Sequence, residues 1–280
     1  MAARPPVRTP VRVVYSDLDG TMVGPYGCFF HDVDAQPTLE PARALVDLLA
    51  TDLQLVLVSG RTRPQLQEAC RIFGADGYVG EMGAVLGWDR ATRSSVLRGA
   101  MPETYDTTPV QVLHDLGVVD RLFERYAGQL EYHAPWHLGH DEDVMLRGSV
   151  DVVEAQHWLA DAGVPWARLR DNGMLPRRGL AAVDGPVHVY HLMPDGLSKG
   201  QGVAADLARR GLCAQDAVAV GDSVSDLEMA PYVARLFLVA NGAAAPATAT
   251  AAAALDNVTV CTGTNGSGWV EAVRWALQSR

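Results

Sequence analysis

Short apolar runs that end in polar clusters are the feature of this 280-residue chain that most restricts its fold. Residues 11–16 form a β-branched run that is too short for a helix, and Asp17-Leu18-Asp19-Gly20-Thr21 follows at once. Two further runs have the same form: residues 53–58 followed by Ser59, and residues 217–220 followed by Gly221-Asp222. Ligands of an open parallel sheet bind beyond the carboxyl ends of its strands, so the pattern predicts one site shared by neighbouring strands.

The first cluster carries two carboxylates. Side chains alternate along a strand, so Asp17 and Asp19 are expected on the same side, and Gly20 lets the chain turn away after them. Two adjacent carboxylates disfavour double ionisation unless a cation binds, so one can act as nucleophile or metal ligand while the other carries a proton. A β-turn with two solvated Asp side chains is the alternative interpretation.

Two later clusters add an ammonium and a second carboxylate pair. Residues 199–210 are a predicted helix stopped by Gly211, and Lys199 stands at its start, where it can meet a phosphate. Asp222 and Asp226 lie in the cluster that follows the third run. A carboxylate nucleophile, a hydroxyl, an ammonium and a carboxylate pair are what a Mg²⁺-dependent phosphoryl-transfer site needs.

These clusters resemble the four motifs of the haloacid dehalogenase superfamily of phosphohydrolases. The pattern is similar to the Cof-like subgroup, which carries a C2-type (IIB) α/β cap between its second and third motifs, and the resemblance covers most of residues 11–280. Three more segments resemble that subgroup: residues 80–84, 239–242 and 264–270. Met82 and Ser225 stand where the subgroup usually has Asn.

The resemblance implies a role for each motif residue. Asp17 is the expected nucleophile, which forms an aspartyl-phosphate, and Asp19 the expected general acid and then base. Asp226 is expected to orient Lys199 or a metal-bound water. Arg61 is expected near the phosphate entrance, with a salt bridge at a helix start as the alternative. The expected set is catalytic Asp17, Asp19, Ser59 and Lys199; phosphate-binding Gly20, Ser59, Gly60, Arg61, Lys199 and Asn241; and Mg²⁺-binding Asp17, Asp19 (through its backbone carbonyl), Asp222 and Asp226.

The strand and helix pattern predicts an α/β protein of two domains. A Rossmann-like parallel-sheet core is expected over residues 11–87 and 188–280, where apolar strands alternate with amphipathic helices. Residues 88–187 mix short strands with helices and are expected to form an inserted α+β cap that closes over the site. One cap helix is predicted at residues 150–162 with Ser149 as its N-cap. Residues 1–10 are expected to be a flexible tail.

Residues 133–143 hold three His and three acidic residues and are the most unusual segment of the cap. Their spacing matches no tight zinc pattern, so a polar loop is favoured over a transition-metal site. Trp136 and His137 are candidates for stacking on a sugar ring, and Arg147 for binding a second anionic group. The alternative is that these three are ordinary surface residues.

Charge and composition exclude several classes of partner. The net charge of −10 argues against nucleic acid and anionic membrane surfaces, although a local cationic pocket can still bind a small phosphorylated metabolite. The four cysteines are scattered, which predicts reduced thiols and a cytoplasmic location. No apolar stretch reaches the roughly 18 residues of a membrane span. A monomer or a homodimer is expected.

The leading functional hypothesis is a Mg²⁺-dependent phosphomonoesterase of small organic phosphates, with sugar or polyol phosphates favoured. A mutase is disfavoured because mutases of this superfamily typically carry a helical cap after the first motif, where the insertion here is too short. A dehalogenase leaves Asp19 without a role, and a signalling receiver is much shorter. A non-catalytic or regulatory protein that binds a phosphorylated metabolite is the alternative from a different class, and it has no need of Asp19.

Overall fold

The computed structural model describes residues 10–175, 179–180 and 182–279, so the predicted tail lies outside the described residues except for Pro10. The strands are β1 Val13–Asp17, β2 Gln54–Val58, β3 Gly77–Gly80, β4 Val85–Trp88, β5 Arg93–Val96, β6 Leu130–Tyr132, β7 Val144–Gly148, β8 Ala167–Met174, β9 His188–Pro194, β10 Ala217–Gly221, β11 Arg235–Leu238 and β12 Val258–Val260. The helices are α1 Glu40–Leu49, α2 Arg63–Phe73, α3 Pro109–Asp115, α4 Val118–Arg125, α5 Val152–Asp161, α6 Lys199–Arg210, α7 Val224–Leu227, α8 Ala240–Ala243, α9 Pro246–Ala253 and α10 Asn265–Gln278.

The chain divides into two compact units. The first contains the described parts of residues 1–60, 64–95 and 198–280, and the second contains residues 61–63 and 96–197. The boundaries expected from sequence, after residues 87 and 187, differ from this division. They differ because β4 and β5 extend the large sheet of the first unit, whereas β9 belongs to the sheet of the second.

An eight-stranded sheet forms the centre of the first unit, in the order β12-β11-β10-β1-β2-β3-β4-β5. The strands from β12 to β3 are parallel, and β4 runs antiparallel to β3. All five residues of β1 are buried, as expected for a strand of a parallel sheet covered on both faces. Strand β1 lies between β2 and β10, so the three runs that end in polar clusters are indeed neighbours.

The second unit is an antiparallel sheet with its own apolar core. Its four strands have the order β6-β7-β9-β8. Leu122 of α4 and Leu159 of α5 are fully buried in one cluster with Leu146 of β7 and Leu192 of β9. A helix layer packed on an antiparallel sheet is the α+β organisation expected for the inserted segment. In the part of the chain that the structure describes, no helix is long and apolar enough to cross a membrane.

Helix α6 confirms the sequence prediction at both ends. It spans Lys199–Arg210, the Ser198 hydroxyl accepts a hydrogen bond from the backbone N–H of Gln201, and Gly211 ends the helix with φ of 65°. Helix α5 differs from its prediction at the N-terminus. Its N-cap is Asp151, whose carboxylate accepts from the backbone N–H groups of Val153 and Glu154, and not Ser149.

The N-cap of α5 gives a paired test of this assignment. Asp151→Ala should lower the free energy of unfolding by about 1 kcal/mol, because it removes the acceptor for two N–H groups of the first turn. Ser149→Ala is the matched control and should change stability by less than about 0.5 kcal/mol. Urea denaturation of both variants measures the difference, and equal losses would contradict the assignment.

Candidate active site

Lys199 joins two carboxylates that lie far apart in sequence. Its ammonium donates to Asp17 Oδ1 at 2.9 Å and to Asp226 Oδ1 at 2.7 Å. All three side chains are buried. Asp17 ends β1, Lys199 begins α6, and Asp226 lies in α7 after β10, so the carboxyl ends of two neighbouring strands and one helix start converge.

A third carboxylate, that of Asp222, completes an acidic cluster with Asp17 and Asp226, in which ligand atoms lie within 4.8 Å of one another. Asp17 Oδ2 is buried and has no hydrogen-bond partner among the described residues. One ammonium leaves three carboxylates with an excess of two negative charges. Hard oxygen donors with that excess fit one Mg²⁺ ion, and Asp17 and Asp222 are the side chains that would hold it.

The charge imbalance appears in the pKa values. Burial, with the nearby Asp226 carboxylate, raises the pKa of Asp222 from its ordinary 3.8 to about 7. Burial and Asp226 also raise the pKa of Asp17, against the opposing effect of Lys199. Although burial lowers the pKa of Lys199, Asp17 and Asp226 raise it above its ordinary value, so the ammonium stays charged. A dication would restore ionisation of the two carboxylates.

Stability without metal should fall as pH rises from 4 to 7. The folded state binds more protons than the unfolded state in this interval, because the Asp222 pKa is raised from 3.8 to about 7. That shift corresponds to on the order of 4 kcal/mol. Thermal and urea unfolding in EDTA at several pH values would measure the decline. Asp222→Asn should flatten the profile, as should excess Mg²⁺; a wild-type profile in EDTA that rises across the interval would contradict the charge assignment.

Asp19 and Ser59 follow the carboxyl ends of β1 and β2, which pair through Asp17 and Val58. Strand β1 ends at Asp17, so Asp19 lies in the following turn and is exposed, and it is near enough to Asp222 to raise the pKa of Asp222. Ser59 is buried directly after β2, and its backbone N–H donates to Val79. Gly60 follows it in the first unit. Arg61 is grouped with the second unit.

Gly20 is required by a close approach. Its φ is +87°, and a Cβ built there would lie 2.3 Å from Asp222 Oδ2. A larger residue would displace the Asp222 carboxylate, so Gly20 shapes the acidic cluster. Gly221 is restricted in a similar way, since a Cβ there would lie 2.2 Å from the Cβ of Asp226.

Asn241, predicted to bind phosphate, makes hydrogen bonds that support the acidic cluster. Its amide nitrogen donates to the backbone carbonyl of Gly20 at 2.8 Å and to Asp222 Oδ2 at 3.3 Å, and its oxygen accepts from the N–H of Asn265 at 2.8 Å. The side chain therefore ties the turn after β1 to Asp222. Thr21, for which no role was predicted, donates to Asp222 Oδ1 at 3.2 Å.

Asp226, predicted among the metal ligands, has both oxygens engaged by protein donors. Its Oδ2 accepts from the N–H groups of Asp222 and Ser223 and from the Ser223 hydroxyl, at 3.0, 2.9 and 2.7 Å. These contacts favour a positioning role for Asp226. Ser225 bonds to Ser223 Oγ at 2.9 Å. A Ser three residues before an Asp is a capping-box pattern, and it could have revealed Ser223 from sequence.

The three substrate candidates of the second unit have different surroundings. Trp136 is 55% exposed. His137 stacks on Tyr132 with ring centroids 4.7 Å apart. Arg147 is opposite Glu131 in the β6–β7 pair, and its Nε donates to that carboxylate at 2.6 Å, so its charge is already paired.

Residues 133–143 form a loop, as expected, and its buried Asp143 joins His140 to His191 in a His–Asp–His network. His140 Nδ1 lies 2.6 Å from Asp143 Oδ1, and His191 Nδ1 contacts Asp143 Oδ2. Burial raises the pKa of Asp143, but the two imidazoles more than offset this and hold it well below its usual range. Sequence reasoning missed His191, which lies on β9, 48 residues after Asp143.

Comparisons with known proteins agree with the motifs. A family model described as haloacid dehalogenase-like hydrolase matches residues 178–266, which include Lys199, Asp222 and Asp226. A phosphoglycolate phosphatase of Methanoculleus marisnigri is 29% identical over 193 residues, 68% of this chain and 70% of that protein.

Two solved structures share the fold over nearly the whole chain. The sucrose-phosphatase of Synechocystis sp., in complex with sucrose and phosphate, has a TM-score of 0.64 at 14% identity and covers 96% of this chain and 98% of its own. A sugar phosphatase of haloacid dehalogenase subclass IIB has a TM-score of 0.60 at 15% identity, with coverage of 95% and 98%. Residues 178–266 therefore match the haloacid dehalogenase-like hydrolases, and the chain shares its fold with a sucrose-phosphatase and with a sugar phosphatase of subclass IIB.

Proposed function

We propose that the protein is a Mg²⁺-dependent phosphomonoesterase of small organic phosphates that works through an aspartyl-phosphate on Asp17. The observation that carries this proposal is the Lys199 ammonium held between Asp17 and Asp226, which leaves Asp17 Oδ2 buried and unpartnered. One oxygen of the nucleophile is thereby fixed while the other remains available to a metal or a phosphorus atom.

The chain's own groups account for both halves of the reaction. An Asp17 oxygen bonds to phosphorus while the ester P–O bond breaks, and Asp19 donates its proton to the departing alkoxide. Asp19 then takes a proton from water as that water attacks phosphorus, which releases phosphate and regenerates Asp17. Lys199 and the Ser59 hydroxyl hold the phosphoryl oxygens. Mg²⁺, when bound, neutralises charge that develops on those oxygens.

Sugar or polyol phosphates are the proposed substrate class. Structural relatives named as a sucrose-phosphatase and a sugar phosphatase support this class. The curated relative named phosphoglycolate phosphatase supports phosphoglycolate as a second candidate. The four cysteines are free thiols, which is consistent with a proposed cytoplasmic location.

Phosphate release from a panel of monoesters tests the proposal. The panel should contain hexose, disaccharide, polyol and nucleoside monophosphates and phosphoglycolate, each with Mg²⁺ and with EDTA. Mg²⁺-dependent release is expected, and the order of kcat/KM assigns the substrate. Metabolite binding without turnover, in folded protein with Mg²⁺ bound, would overturn the proposal in favour of a regulatory protein.

A further inference from the structure

A second group of charged residues lies at the amino ends of the parallel strands, on the sheet edge opposite to Asp17. It lines a cavity of about 470 Å³ in the first unit. Arg12 precedes β1, Gln54 begins β2, and Arg210 ends α6. At their other ends, β1 carries Asp17, β2 precedes Ser59, and α6 begins at Lys199.

The hydrogen bonds of Arg210 to described residues leave one of its three donor nitrogens unused. Its side chain is 8% exposed, its Nε donates to Asp206 at 2.5 Å, and its Nη1 donates to Gln54 at 2.6 Å. Its Nη2 is buried without a partner among the described residues. An unpaired charged donor that is buried beside a cavity is costly, which favours an acceptor bound there.

Three more guanidinium groups line the same cavity. Arg12 and Arg90 are exposed, and neither side chain has a hydrogen-bond acceptor in the described part of the chain. Arg209 bonds to Asp206 at 2.9 Å and lies 4.9 Å from the Trp88 ring centroid.

The local charge is opposite to that of the whole chain. Four guanidinium groups stand against three carboxylates, those of Asp76 and Asp89 in the lining and that of Asp206 beside Arg209 and Arg210, which leaves an excess of one positive charge in a protein of net charge −10. The partial negative charge at the carboxyl end of α6 opposes an anion, but two of its last four carbonyls, those of Leu207 and Ala208, accept hydrogen bonds from Leu212 and Gly211. The net charge around the cavity is therefore positive.

We propose that this cavity binds a small dianion, a phosphate monoester or a dicarboxylate, at a site separate from the catalytic centre. The positive charge around the cavity and the two guanidinium groups of Arg12 and Arg90 suit a dianion, and the volume is that of a small-molecule site. Guanidinium groups bind phosphate and carboxylate through paired, charge-assisted hydrogen bonds. Arg12 and Arg90 can make such pairs, and Arg210 can add one hydrogen bond from Nη2.

Binding of inorganic phosphate and of malonate to the full chain tests the proposal. Calorimetry should use metal-free buffer prepared with a chelating resin, since EDTA is itself a polyanion. The variant Arg12→Gln/Arg90→Gln removes two exposed charges and leaves Arg210 and the catalytic residues intact. Arg43→Gln is the matched control, because Arg43 is an exposed arginine of the same unit outside the cavity. Hydrogen exchange at residues 88–91 and 206–212 locates the bound anion.

Wild type and Arg43→Gln should bind at least one of the two anions, with slower exchange at those segments. The double variant should bind about tenfold more weakly or worse, because two charge-assisted hydrogen bonds are lost. Phosphate binding alone, or malonate binding alone, would support the proposal and identify the ligand class. Equal affinity in the double variant, or no binding by wild type at millimolar concentrations, would overturn it.

Discussion

Asp17→Asn is expected to reduce Mg²⁺-dependent phosphate release by at least about 10³-fold, because an amide oxygen is a poor nucleophile and a weaker Mg²⁺ ligand. The same change should leave metal-free stability equal to or above that of wild type. Asp17 is buried near Asp226 and Asp222, both of which raise its pKa, so removing its charge relieves repulsion, while the amide oxygen of the variant can still accept from Lys199. Activity assays and thermal unfolding in EDTA measure the two effects.

Asp47→Asn is the matched control for this variant, since Asp47 is an exposed carboxylate on α1 of the same unit. It should change neither quantity. Retention of activity within tenfold by Asp17→Asn would remove Asp17 as the nucleophile. A large loss of stability would instead mean that the carboxylate is needed for folding, contrary to the excess of negative charge in the site.

Lys199→Met is expected to cost about 3–5 kcal/mol of stability without metal, because it leaves Asp17 and Asp226 buried without their cation. It should also remove most activity, since the ammonium that would hold the phosphoryl group is lost. Urea denaturation in metal-free buffer at pH 7.5 measures the first effect.

The double variant Lys199→Met/Asp17→Asn separates electrostatics from packing. Removing one of the two unpaired carboxylates should restore a substantial part of the lost stability. A double variant as unstable as Lys199→Met alone would show that the loss comes from packing. A single variant within about 0.5 kcal/mol of wild type would contradict the charge balance of the site.

The proposed reacting groups were predictable because each lies in a short sequence pattern. Two local signals show this: the apolar run before Asp17 predicts a strand, and the pattern after Ser198 predicts a helix that begins at Lys199. The structure has both elements at these positions. Asp19 was expected on the same side of the strand as Asp17, but β1 ends at Asp17. The end of a strand depends on its pairing with neighbouring strands, which the local sequence does not show.

The supporting contacts were less predictable because they depend on folding. Asn241 is 221 residues from Gly20, whose carbonyl it binds, and nothing local to either residue indicates that contact. His188–Pro194 reads as a strand in sequence, but only pairing with β7 and β8 shows that it belongs to the second unit. The cationic cavity combines residues from five separate stretches of chain, and the net charge of −10 conceals it.

Lys199 is the single lysine among the 23 basic residues of the chain, all the others being arginine. Its burial between two carboxylates keeps the ammonium protonated and out of solvent. Amine-directed acylating reagents should therefore spare the folded protein except at its α-amino group. Acylation of Lys199 requires the site to open. After a short pulse of reagent, the fraction of protein acylated at Lys199, measured by mass spectrometry, would therefore report how often the catalytic centre opens, with no engineered label.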